Sequence, residues 1–125
     1  MNPSENQQIL KTIEDKLIDL GIEKDEAMKY APSVVSACRD YKISAQLHEM
    51  GRSIYGKALD DKTKLGLAKI YFQKINEGIG SNIPMGKWVD VAEAYAEKEA
   101  QIQYSEGRID ISKLMLEGIV ERRFD

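Results

Sequence analysis

Apolar residues recur at intervals of three and four along almost the whole chain. Ile9, Leu10, Ile13, Leu17 and Leu20 share one face of a predicted helix over residues 4–20. Ser4 and Gln7 have capping-box spacing at its start, and Gly21 stands just past its end. Ala27, Met28 and Ala31 predict a short helix over 23–31, which Pro32 ends. Pro32 also suits the first turn of the next helix, which carries Val34, Val35, Cys38 and Tyr41 on one side. Leu47, Met50 and Ile54 continue at helical spacing from Ser44, after a break or a bend, and Gly56 closes this part.

Asp60 or Asp61 is a natural N-cap for a helix over 61–77. Its expected packing face is Leu65, Ala68, Phe72 and Ile75, with Leu67 and Tyr71 beside them and Gly78 as the stop. Trp88, Val91, Ala92 and Tyr95 set the phase of a helix over 88–106, ended by Gly107. Asp110 precedes a last helix over 111–122, which would bury Ile111, Leu114, Met115 and Ile119. No alternating run flanks a two-residue turn, so no strand is expected. Short connections imply antiparallel neighbours. The expected fold is all-α: one domain over 1–125, a compact antiparallel bundle of five to six helices without a sheet.

Composition narrows the class. With 125 residues, 42% hydrophobic and 31% charged, the chain reads as a soluble globular protein. Its net charge of −3 gives no overall drive toward nucleic acid or an acidic membrane. Cys38 is the only cysteine, so no disulfide closes within the chain and a reducing compartment is expected. The sequence has neither a membrane-length apolar run nor a signal-peptide pattern. Together these point to the cytoplasm.

Charge, by contrast, is distributed unevenly. Residues 52–74 carry Arg52, Lys57, Lys62, Lys64, Lys69 and Lys74 against Asp60 and Asp61. Residues 88–106 carry Asp90, Glu93, Glu97, Glu99 and Glu106 against Lys98. If the two helices fold back on each other, their rims attract and select the register. If they do not, Arg52, Lys57, Lys64, Lys69 and Lys74, interleaved with Tyr55, Tyr71 and Phe72, form an anion-binding stretch suited to a nucleic-acid backbone. Around the helix, Lys62 and Lys69 share a face and Lys64 points elsewhere.

The segment between them, GIGSNIPMGK at 78–87, ends in Gly-Lys like a phosphate-binding loop. It lacks that loop's first glycine, its final hydroxyl residue and its leading strand, so it reads as a connection that tucks Ile83 and Met85 into the bundle. A connection of this length is also a candidate contact surface, with Met85 and Trp88 as partner-binding residues. Tyr55 and Tyr71 join them, since tyrosine buries a ring while keeping a wet hydroxyl.

Two further sets bear on chemistry. His48-Glu49-Met50-Gly51-Arg52-Ser53 resembles the motif of histidine phosphotransfer domains, helical bundles whose exposed histidine accepts phosphate from a response-regulator aspartate. In that family a lysine and then a glycine usually follow the histidine at the third and fourth positions; here Gly51 and Arg52 stand there in reverse chemical order. The resemblance implies a phosphorylatable His48. Asp90, Glu93 and Glu97 share one helix face, and Glu23 with Glu26 forms another acidic pair. All-helical nucleotide pyrophosphohydrolases hold magnesium with two acidic pairs, but those lie a few helical turns apart, unlike Glu26 and Asp90. The acidic faces are therefore expected to be solvated, with no metal and no cofactor.

No catalytic set remains. The expectation is a small, soluble, non-enzymatic protein–protein interaction module: a regulatory subunit, an adaptor, or an inhibitor or immunity-type protein. It would act through a helical face and the 78–88 loop. The alternatives are a nucleic-acid-binding accessory protein using the 52–74 stretch and a phosphotransfer protein using His48.

Overall fold

The structure, a computed structural model, describes residues 3–53 and 59–105. These form α1 (Pro3–Asp19), α2 (Lys24–Ser53), α3 (Asp61–Ile79) and α4 (Met85–Ser105), with no strand among the described residues. The all-α class holds, with four helices where five to six are expected. The segment 111–122 lies outside the described residues. The other difference is α2, which runs unbroken through Pro32.

Pro32 ought to end a helix, because it removes a hydrogen bond and crowds the preceding turn at a cost of about 3 kcal/mol. Here Ala27, Ala31, Val34, Cys38 and Tyr41 keep one buried line on both sides of it. Burial at about 25 cal/mol per Å² along that line outweighs the local cost. Pro32 itself faces solvent.

Glycine sets the ends of two helices. Gly21 has φ 95°, and Ile22 N–H reaches back to Leu17 O at 3.0 Å, closing α1. α1 begins at Pro3, so Ser4 sits inside its first turn instead of capping it. Asp60 caps α3, its carboxylate accepting from Thr63 N–H at 2.8 Å. At the far end Gly80, not Gly78, takes the left-handed conformation, with φ 76°. Gly78 stays helical, and its carbonyl accepts from the Tyr30 hydroxyl at 2.9 Å. α4 starts at Met85, earlier than expected, because Pro84 O accepts from the Lys87 and Trp88 N–H groups.

α2 and α4 each pack against all three other helices, while α1 and α3 lie on opposite sides of that pair. Phe72 stacks on Trp88 at 5.1 Å and tilts against Tyr41 at 6.2 Å, joining α2, α3 and α4. Ile9, Ile13 and Leu17 bring α1 to the same core. On α3 the buried line is Leu67, Ala68, Phe72 and Asn76; Leu65, expected to pack, is exposed.

Candidate functional site

The α3–α4 loop is built to hold itself. Asn76 is buried and turns its side-chain amide to the loop. Its Nδ2 donates to Ile83 O at 2.8 Å, and its Oδ1 accepts from Ser81 Oγ at 2.8 Å and Ile83 N–H at 3.3 Å. Its backbone carbonyl takes the N–H groups of Gly80 and Ser81, both at 2.9 Å. Ile83 is buried and Met85 half-buried. A phosphate cradle needs free, converging N–H groups; here those of Gly80, Ser81, Ile83, Lys87 and Trp88 are bonded within the chain.

Trp88 is fully buried, so its ring anchors the loop to the core and offers a partner nothing. Its indole N–H meets no acceptor among the described residues, which leaves packing and the stack on Phe72 to hold it. Met85 keeps some exposure beside it. Tyr55 lies outside the described residues.

The basic and acidic helices are neighbours: α3 packs on α4. No ion pair joins them among the described residues. Lys64 is half-buried and shares a groove with Asp61, Asp90 and Glu93. Lys69 and Lys74 point away, lining a shallow outer groove on α3 with Ile70, Gln73 and Glu77. The Arg52 side chain and Lys57 lie outside the described residues. The described lysines of this stretch therefore diverge.

Charges meet instead where α2 crosses α4. Lys42 Nζ pairs with Glu99 Oε1, and Tyr95 Oη donates to Glu99 Oε2 at 2.6 Å. The Arg39 guanidinium lies near the Tyr95 hydroxyl, and its pKa is raised by that neighbour first. Burial pushes the Glu99 carboxyl up, but the hydrogen bonds from Lys42 and Tyr95 outweigh it and hold it below its ordinary range. Burial, then the bond to Glu99, raises Tyr95 to about 12. This cluster pins the two central helices, and its Lys42 also lines a groove between α2 and α4 with Tyr41, Gln46, Glu49, Lys64 and Glu93.

His48 is exposed on the later half of α2. Asp90, Glu93 and Glu97 are exposed on α4, and among the described residues no three His, Cys, Asp or Glu side chains converge on a metal position.

The later half of α2 carries the feature that stands out. Ile43 is 51% exposed, Leu47 63% and Met50 67%, in line along one side of the helix. Asp40 and Ser44 flank the line, and Tyr71 of α3 joins it at a shallow hollow of about 240 Å³. Of the expected partner-binding residues, Tyr71 is the one brought to this surface. Ile43 was not among them. Its signal was in the spacing: Ile43, Leu47 and Met50 lie roughly opposite the buried line through Val34, Cys38 and Tyr41. α2 is apolar on two sides there.

Among the described residues no helix is long and apolar enough to cross a membrane. The chain matches no protein-family model, and no similar curated protein or solved structure was found.

Proposed function

We propose that the chain is a small non-enzymatic interaction module, of the regulatory-subunit, adaptor or inhibitor type, that docks on another protein through the later half of α2. The observation that carries this reading is the exposed line of Ile43, Leu47 and Met50 with Tyr71 beside it. Apolar side chains aligned on one helix face are what a partner's groove receives. The 78–88 loop serves by stiffening the α3–α4 pair, with Met85 half-buried beside it. The fully buried Cys38 thiol fits a reducing, cytoplasmic setting.

The test is capture of host proteins by the native chain and by Leu47→Glu and Ile43→Glu. Both side chains are more than half exposed, so these changes should shift stability by no more than about 0.5 kcal/mol. Proteins retained by the native chain should fall at least tenfold with either variant. Equal retention by folded variants refutes the surface.

Lys69 and Lys74, brought to one groove, favour a second reading as a nucleic-acid accessory protein. It requires retention on a polyanion at low salt that weakens steeply as salt rises. Absence of retention at low salt removes it.

A further inference from the structure

On the side of α2 away from the exposed line, the groove between α2 and α4 has a volume of about 220 Å³. That is below the ~300–1,000 Å³ of a drug-sized site, so its ligand is small. The floor is apolar, made by Ala45, Leu59, Ala92 and Ala96, and the rim carries Glu49 and Glu93. Lys64 and Glu93 also line a second hollow, where Asp61, Asp90 and Val89 stand. The two hollows therefore adjoin and follow α4 from Gly86 to Ala96, about 15 Å. Of the two lysines here, Lys42 is already held by Glu99, so carboxylates prevail.

Carboxylates alone make a solvated rim. Tyr41 supplies the independent observation. It is only 6% exposed, and its ring lies against Phe72. It lines the groove, yet its hydroxyl has no hydrogen-bond partner among the described residues. Burial, then Glu93 and Glu49, raises its pKa, which places the hydroxyl near both carboxylates. A buried hydroxyl without a partner costs stability unless something from the groove meets it.

We propose that this groove binds a linear aliphatic polyamine, with one ammonium held by Tyr41, Glu49 and Glu93. An ammonium carries three N–H donors and no acceptor. The Tyr41 hydroxyl and the two carboxylates offer it three acceptors around one point. The methylene chain lies on Ala92, Leu59 and Val89, as a lysine stem lies on apolar surface. The next ammonium reaches Asp90 or Asp61. Lys64 is the built-in rival, because its own positive charge stands in both hollows. The site does not depend on the docking face.

The experiment is isothermal titration calorimetry of the full chain with spermidine at low salt. Saturable one-to-one binding is expected, with n-butylamine at least tenfold weaker because it has no second ammonium. Tyr41→Phe keeps the ring and the net charge and should weaken spermidine at least fivefold, as should Glu93→Gln. Glu77→Gln removes the same charge from the outer side of α3 and should change affinity less than twofold. Lys64→Gln should tighten binding about threefold. Circular dichroism checks that each variant is folded; the exposed Glu49→Gln replaces Tyr41→Phe if that variant does not fold. No saturable binding, butylamine as tight as spermidine, or unchanged affinity in folded Tyr41→Phe overturns the proposal. So does a Lys64→Gln variant that binds no tighter. Equal losses in Glu77→Gln and Glu93→Gln reduce the binding to diffuse charge attraction and overturn it as well.

Discussion

Replacing Asn76 with alanine should loosen the α3–α4 loop while leaving α3 capped. The α3 cap uses the Asn76 backbone carbonyl, which alanine retains, so the bonds from Gly80 and Ser81 N–H survive. The side-chain bonds do not. Ile83 N–H and C=O are buried and both turn to Asn76. A net hydrogen bond is worth about 1 kcal/mol, and a buried group left without one costs about 1–3 kcal/mol. Partial access of water to a freed loop brings the total for Asn76→Ala to about 2–4 kcal/mol. For a domain of this size, at roughly 4 °C per kcal/mol, Tm falls by about 8–16 °C. Ser81→Ala removes a single half-exposed bond and should cost about 0.5–1 kcal/mol. Urea and thermal melts followed by circular dichroism measure both. Hydrogen exchange at the Ile83 amide should speed up in Asn76→Ala. A loss below about 0.5 kcal/mol, or equal losses in the two variants, refutes the assignment of the loop's rigidity to this amide.

Other outcomes follow from single sites. The Glu99 carboxyl titrates below its usual value in the folded chain, so its stabilisation is complete above about pH 4.5 and is lost as pH falls through the depressed pKa; Glu99→Gln should flatten that acid limb in pH-dependent urea melts. Burial raises the Cys38 thiol to about 12, so a thiol reagent at neutral pH should leave the native chain untouched and label it once it is unfolded. Gly66 lies within α3 with open space where a Cβ would go, so Gly66→Ala should stabilise by about 0.5–1 kcal/mol. Gly80 is held at φ 76°, so Gly80→Ala should destabilise by about 1 kcal/mol, and melts of the two variants should shift in opposite directions.

Much of the fold was legible because it depends on periodicity and on local chemistry. Ile9, Ile13 and Leu17 announce α1 by spacing alone, and Asp60 caps α3 as its side chain requires. Choices between equal local signals were not legible. Gly78 and Gly80 both permit a left-handed turn; Asn76, by bonding Ile83 and Ser81, favours the later one. Trp88 suits a surface hot spot as well as a core, and only its stack on Phe72 decides. The candidate surface was half legible. Leu47 and Met50 read as one more apolar set, and nothing local says whether a neighbouring helix covers them.

The sequence by itself determined the helical class, the place of most turns and the opposed charge of α3 and α4. These follow from residue spacing and from backbone preferences, which act over a few positions. Tertiary structure alone decided that α2 passes through Pro32, that Lys64 turns toward α4 acids while Lys69 and Lys74 turn away, and that Ile43 and Leu47 face solvent. Each of those outcomes depends on which helix lies alongside and how far it extends, and burial exists only between elements that have already met.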